Sequence, residues 1–348
     1  MYGGPSTAIA AVPKELAIGE RAPLVILLPG GHHNMQGHVT GVWGWWCEYM
    51  LGDTDTALRR GTLTPRDFQQ LVRPAELATF NRLLALQPFR GAVYVTPWVV
   101  GRQLDPQPHG TMVGDFLRDV VSRCRTELPV IDSREATGLG GMSSGGLWTI
   151  YSGSLCSDLF GTLVATQPFT DDLVKPLREV VSKRARPQRL RMVSSVDDHQ
   201  KKSTTALSAA LTEDGVEHEY YEYLGAHSAG FAAGPGGLDA LLQFDRALRG
   251  ENLDGTRDLP VHDGLAAPFV VGEGLQRPPM VRAPTEPIHV GGVVALSALV
   301  VGSAAVGVTL AAQRAKKNQS PKPIGPEQND TRKQAPSVEV EIDVPVIE

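Results

Sequence analysis

Four short runs of apolar residues, separated by segments with helical spacing, constrain the fold of this chain more than any other feature. The runs occupy Leu24–Leu28, Gly91–Thr96, Ala136–Gly140 and Leu190–Val196, and glycine, proline or aspartate follows each of them. Continuous apolar runs are typical of strands that are buried on both faces. Strands that alternate with helices predict an α/β fold with a mostly parallel sheet, covered by helices on both sides.

The segments between and after these runs carry apolar residues at helical spacing. The clearest is 114–128, and residues 144–155, 203–214 and 235–249 are further predicted helices. Ligands of open α/β sheets bind at the carboxyl ends of the strands. We therefore expect the functional residues of this chain directly after its strands.

Length and composition exclude several classes of protein. A chain of 348 residues suits one large α/β domain with appended segments. A formal net charge of −5 does not suit a nucleic-acid partner, so we expect none. The three cysteines, at positions 47, 124 and 156, show no CxxC spacing, which argues against a disulfide framework and against a zinc or redox site built on cysteine.

The globular domain is expected to span residues 1–250. Its interval 38–90 is too long for a simple connection between strands, and we interpret it as an insertion that forms a lid over the functional site. Trp43 and Trp46 lie in an aromatic cluster of this insertion and are candidates for the lining of a substrate pocket. A local hydrophobic core beneath the insertion explains the same residues equally well.

The segments beyond residue 250 differ from the domain in composition. Residues 251–289 are rich in proline and are interpreted as a linker, whereas 290–312 are 23 residues without a charge. As a helix this segment would be about 34 Å long, enough to cross a hydrocarbon core of about 30 Å. We predict a single transmembrane helix, although a buried helix of a soluble domain is the alternative. Small residues four apart in it are compatible with a homodimer, and the polar tail at 313–348 is expected to be disordered.

The charges around the apolar segment predict its orientation. Four basic residues lie within 314–322, while Arg277 and Arg282 precede the segment. By the positive-inside rule the tail lies in the cytoplasm and the large domain outside it. The first residues lack the pattern of a signal peptide, which conflicts with this orientation. We expect a start further upstream, and a tail anchor that faces the cytoplasm is the alternative.

The sequence Gly-Met-Ser-Ser-Gly at 141–145 matches the G-x-S-x-G pattern of a nucleophile elbow. It follows a predicted strand and opens a helix, which is the context that this motif requires. Glycines suit such a sharp turn because a Cβ would clash at its strained positions. The serine hydroxyl then stands at a helix N-terminus, where the dipole stabilises a developing oxyanion. Ser143 is therefore the candidate nucleophile.

A nucleophilic serine needs a base, and the base needs an acid that orients it. His227 follows a predicted strand and precedes the last helix of the domain, as the base does in the chain order serine, acid, histidine. Asp197 and Asp198 end the preceding strand. The spacing favours Asp198 as the acid, and Asp197 is the second candidate.

An oxyanion hole needs two backbone N–H groups. One is expected from Ser144, directly after the nucleophile, and the other from Gly31 or His32, in the loop after the first apolar strand. The histidines at 32, 33 and 38 suggest a metal site instead, but no carboxylate or cysteine joins them at a fixed spacing. We expect no metal. We also expect no cofactor, because no phosphate-binding glycine loop follows the first strand.

The motifs around these residues resemble those of the esterase D and feruloyl esterase-like family of α/β-hydrolases. The elbow G-M-S-S-G-G is similar to the family's G-x-S-M-G-G, and Gly-Ala-His-Ser-Ala-Gly-Phe at 225–231 is similar to its G-x-H-x-x-x-[FW]. Ser157-Asp158-Leu159-Phe160 stands where the family has P-x-x-F. The resemblance covers residues 23–249. It implies the α/β-hydrolase fold, esterase activity and a triad of Ser143, Asp198 and His227.

Three functions are compatible with these features. The leading hypothesis is a membrane-anchored serine hydrolase that cleaves a carboxylic ester through an acyl-enzyme, with a small molecule, a glycan ester or a lipid ester as its substrate. An acyltransferase would use the same triad but pass the acyl group to an alcohol. A catalytically inactive, membrane-tethered binding module is the third hypothesis, and a complete set of catalytic residues at strand ends argues against it.

Overall fold

A computed structural model gives the structure of the chain. It describes residues 6–14, 16–99 and 106–250, together with two three-residue strands at Val293–Ala295 and Ile342–Val344. Apart from residues 1–5, 15 and 100–105, the domain predicted at 1–250 lies within these ranges.

The described strands form a single sheet. In chain order they are β1 (Ser6–Ala11), β2 (Leu24–Leu28), β3 (Val93–Pro97), β4 (Thr137–Met142), β5 (Thr162–Thr166), β6 (Arg189–Asp197), β7 (Glu219–Ala226), β8 (Val293–Ala295) and β9 (Ile342–Val344). Their order across the sheet is β7-β6-β5-β4-β2-β3-β1-β8, and β9 also pairs with β1. Strands β2 to β7 are parallel, and β1 is antiparallel to β3. The predicted α/β fold with a mostly parallel sheet is confirmed.

The helices lie between and after these strands. In chain order they are α1 (Gly31–Met35), α2 (His38–Gly41), α3 (Gly44–Cys47), α4 (Leu51–Arg60), α5 (Pro74–Leu86), α6 (Pro106–Glu127), α7 (Ser144–Leu155), α8 (Val174–Ser182), α9 (Lys201–Glu213), α10 (Ala229–Ala232) and α11 (Pro235–Ala247). The helix predicted at 114–128 begins earlier, at Pro106, and contains a non-helical Gln107. Apolar spacing could not show this first turn, because prolines and polar residues occupy it.

Alternate residues of the strands point into two separate hydrophobic cores. In β2, Leu24, Ile26 and Leu28 belong to one core, while Val25 and Leu27 belong to the other. Helices α6 to α9 complete the first core, and α4, α5 and α11 complete the second. Helices therefore cover both faces of the sheet, and the parallel strands place their carboxyl ends along one edge.

The segment 38–90, interpreted from the sequence as a lid, forms α2 to α5. Helix α4 packs against α11, and α5 buries Phe80 and Leu84 in the second core. A large part of this segment is thus a structural layer of the domain. Its residue Leu71 reaches the loop that carries His227, because a Cβ on Gly225 would lie 3.1 Å from Leu71 Cδ1.

The segments after residue 250 lie mostly outside the described residues. This applies to the linker at 251–289, to the tail at 313–348 apart from β9, and to the predicted transmembrane segment at 290–312 apart from β8. Strand β8 pairs antiparallel with Ile9–Ala11 of β1. These three residues are therefore extended where a helix was predicted, and two of them are valines, which favour strands. Within the part of the chain that the structure describes, no helix is long and apolar enough to cross a membrane.

Candidate active site

Ser143 occupies the sharp turn between β4 and α7. Its backbone has φ 57° and ψ −115°, a conformation that costs a residue with a side chain about 1–3 kcal/mol. Two hydrogen bonds hold this turn: Ser143 N–H donates to Thr166 O at 3.0 Å, and Phe169 N–H donates to Ser143 O at 2.9 Å. The strained residue of the elbow is thus the candidate nucleophile itself.

The two glycines of the elbow motif permit the close packing of strand and helix. A Cβ on Gly141 would collide with the backbone of Gly145, and a Cβ on Gly145 would collide with the carbonyl oxygens of Leu28 and Pro29. Neither glycine has a positive φ angle. The predicted clash of a Cβ at these glycines is therefore confirmed, while the backbone strain of the turn lies at Ser143.

The loop after β2 lies directly against the elbow. A Cβ on Gly30 would be 3.7 Å from Ser143 Cβ, and a Cβ on Gly31 would be 3.3 Å from Ser144 Oγ. Ser144 is the first residue of α7, so its N–H group has no partner within that helix. The structure thus brings Ser144 and Gly31 together beside Ser143, while the side chain of His32 is exposed on α1.

The acid and the base meet at the ends of β6 and β7. Asp198 Oδ1 lies 2.9 Å from His227 Nδ1. The Asp198 side chain is fully buried, whereas 16% of the His227 side chain is exposed. Asp197, the second candidate for the acid, is exposed at the end of β6. Of the two aspartates, Asp198 is therefore the one that contacts His227.

Hydrogen bonds keep Asp198 ionised in spite of its burial. Burial alone would raise the pKa of this carboxyl group, but His227, the Gln200 N–H and Ser194 together hold the pKa below its usual value. Gln200 N–H donates to Oδ1 at 2.9 Å, and Ser194 Oγ donates to Oδ2 at 3.0 Å. An ionised carboxylate only accepts hydrogen bonds, so His227 carries its proton on Nδ1 and leaves Nε2 free to accept one.

Gln167 links β6 to the loop that carries His227, and the sequence analysis missed it. Its side chain is fully buried just beyond β5. Its Nε2 donates to Ser195 Oγ at 2.6 Å and to Ala226 O at 3.1 Å, and its Oε1 accepts from Ser228 N–H at 3.3 Å. Gln167 thus fixes the residues on both sides of His227. Its partners are up to 61 residues away in the chain, so no local pattern could have revealed it.

The histidines and tryptophans singled out from the sequence have structural surroundings. His33 is buried against Gly44, and burial lowers the pKa of its ring, partly offset by Glu48 at 3.3 Å. His32 Nε2 lies 2.8 Å from Gln36 Nε2, and the side chain of the histidine at 38 lies outside the described residues. Trp46, proposed for a substrate pocket, is buried in the second core and donates from Nε1 to Thr96 Oγ1 at 3.0 Å. Trp43 is half-buried at the edge of the same core.

Replacing Gln167 by leucine should slow the reaction of Ser143 with an organophosphorus probe by about 10- to 100-fold, because His227 is displaced. Gln188→Leu is the matched control. This buried glutamine likewise donates two hydrogen bonds, to Gly153 O and Phe160 O. We expect both variants to lose similar stability in urea unfolding, and only Gln167→Leu to lose reactivity. Equal rates for the two variants would contradict the assigned role.

The stability contributed by Asp198 should depend on pH. Its folded pKa is depressed, so its contribution is present above the unfolded pKa of about 3.9 and is lost as the pH falls through the lower folded pKa. The difference in unfolding free energy between the parent and Asp198→Asn should be about 1–3 kcal/mol at neutral pH and shrink below about pH 4. The exposed Asp197→Asn serves as control. A difference for Asp198→Asn that does not change with pH would exclude this ionic role.

No family model matches the chain, and no curated protein matches it. Several solved structures are similar to it. A ferulic acid esterase is 15% identical, with 70% of this chain and 93% of that protein covered, at a TM-score of 0.48. The fluorophosphonate-binding serine hydrolase F of Staphylococcus aureus is 13% identical, with coverages of 70% and 98% and a TM-score of 0.46.

The S-formylglutathione hydrolase of Staphylococcus aureus is 14% identical, with 65% of this chain and 82% of that protein covered, at a TM-score of 0.41. Similarities of this strength concern the fold alone, so the function is inferred from the geometry of the site. By their names, these three proteins are an esterase and two hydrolases.

Proposed function

We propose that the chain is a serine hydrolase that cleaves a carboxylic ester, with Ser143 as nucleophile, His227 as general base and Asp198 as the acid that orients it. One observation carries this proposal: a buried, ionised carboxylate holds a histidine by Nδ1 at the same edge of the sheet as a strained serine elbow. The backbone strain at Ser143 lowers the stability of the folded chain. A functional role for the half-buried Ser143 explains why the turn is built in this way.

The proposed reaction begins with proton transfer. His227 Nε2 accepts the proton of Ser143 Oγ while the oxygen attacks the ester carbonyl carbon. The resulting oxyanion is stabilised by the N–H groups of Ser144 and Gly31 and by the N-terminus of α7. The carbon–alkoxy bond then breaks, and the alcohol leaves with the proton from His227. Asp198 stabilises the imidazolium that exists between these two transfers.

The second half of the reaction repeats these roles with water. His227 removes a proton from a water molecule, which attacks the acyl group on Ser143. The acid leaves, and Ser143 Oγ regains its proton from His227. An ester is the proposed substrate, rather than an amide, because the motifs around Ser143 and His227 resemble those of esterases.

Anchoring of this domain in a membrane through 290–312 is the second part of the proposal, with β8 kept in the sheet and the uncharged residues after it entering the bilayer. The uncharged length of the segment and the basic residues that follow it support this function. In full-length protein, replacing Val300 and Val301 by aspartate should release the chain from membranes at alkaline pH. Replacing Val338 and Val340 in the tail by aspartate should leave the chain in the membrane fraction. Identical fractionation of both variants would contradict the anchor.

The catalytic proposal is tested by the intact mass of the full chain after reaction with a fluorophosphonate. The parent should gain one adduct and Ser143→Ala none, because only an activated serine attacks the phosphorus. Ser154→Ala, a buried serine of the same helix, should react like the parent. A folded parent that gains no adduct would overturn the hydrolase. Parent protein that labels should then release acid from short-chain esters, in amounts that Ser143→Ala does not reach.

A further inference from the structure

His199 lies beside the candidate dyad, which is the pair Asp198 and His227. The proposed reaction does not use His199. Its ring centroid is 4.5 Å from that of His227, and the two planes are tilted by 51°. Its Nδ1 is 3.8 Å from Asp198 Oδ1, the same oxygen that accepts the hydrogen bond from His227. The side chain of His199 is 64% exposed, so solutes can reach this face of the dyad directly.

These three residues have the donor set of a zinc site. Asp198, His199 and His227 each offer one ligand atom, and these atoms lie within 4.8 Å of one another. Tetrahedral zinc with bonds of about 2.0–2.1 Å places its ligand atoms about 3.3 Å apart. The two distances from Asp198 Oδ1, 2.9 Å and 3.8 Å, lie on either side of that value. Shifts of about half an ångström would bring both of these distances to that value, and the ligand atoms of the two histidines already lie within 4.8 Å of each other.

The carboxylate of this cluster is held by groups outside it. Ser194 Oγ donates to Asp198 Oδ2 and the Gln200 N–H donates to Oδ1, and neither group is one of the three proposed ligands. Hydrogen bonds of this kind, from groups that do not touch the metal, orient the ligands of metal sites and strengthen metal affinity. A water molecule would occupy the fourth position, because His199 leaves one side of the cluster open to solvent.

We propose that Asp198, His199 and His227 form a zinc-binding site whose occupation inhibits the enzyme; the inhibition rests on the proposed function. Zinc would bond to His227 Nδ1 in place of the proton that Nδ1 now donates to Asp198. The neutral ring keeps one proton, which moves to Nε2. Nε2 then has no lone pair to accept the proton of Ser143, so the serine loses its base. Removal of zinc restores the original tautomer.

Direct binding tests the site without reference to catalysis. We expect isothermal titration of the full chain bearing Ser143→Ala with ZnCl₂ to show one site, weakened about 10- to 100-fold by His199→Gln. His218→Gln is the control, because that histidine contacts Ser208 and Val216 instead. Equal zinc affinity for the two glutamine variants would overturn the site, and so would the absence of binding.

Inhibition is measured by the rate of fluorophosphonate labelling in the presence of zinc and in the presence of EDTA. The rate of each protein with zinc is compared with the rate of the same protein in EDTA. The parent and His218→Gln should be slowed by zinc and recover in EDTA, whereas His199→Gln should respond only at about 10- to 100-fold higher zinc. Equal zinc sensitivity of all three would overturn the inhibition. Zinc binding through His199 in a parent that never labels would support the site and overturn the proposed function.

Discussion

The hydrogen bond between Asp198 and His227 is the contact on which the candidate site depends. It fixes the tautomer of the histidine, because an ionised carboxylate can only accept at Nδ1. This hydrogen bond requires an ionised carboxylate, although the Asp198 side chain is fully buried. Ser194 and the Gln200 N–H donate hydrogen bonds to this carboxylate and so help to keep its pKa low. Without this contact, Ser143 would be a strained turn residue with no base of fixed orientation.

The parallel sheet turns this local contact into a site. The ends of β4, β6 and β7 bring Ser143, Asp198 and His227 to one edge, although the last lies 84 residues after the first. Gln167 then ties the three strand ends together through its side chain and the adjoining backbone. Helix packing on both faces buries the strands beneath, so the functional side chains stand at the ends of buried strands.

Sequence patterns predicted the features that depend on short stretches of chain. Apolar runs identified the central strands, and the elbow motif located Ser143 at the correct strand end. The same reasoning left the roles of Trp43 and Trp46 open, because aromatic residues suit a pocket and a core equally well. It missed Gln167 and His199, whose significance depends on partners from other strands or on a stacked ring. It also placed a helix over Val293–Ala295, where pairing with β1 gives a strand.

The most direct test of this account is whether Ser143, His227 and Asp198 act as one unit. Hydrolysis of a short-chain aryl ester would be measured for Ser143→Ala, His227→Ala, Asp198→Asn and the variant that combines all three changes. Residues of one mechanism have non-additive effects, so Ser143→Ala or His227→Ala alone should cost about as much as the combined variant, about 10⁴-fold or more in kcat. Losses that multiply independently from residue to residue would contradict the account.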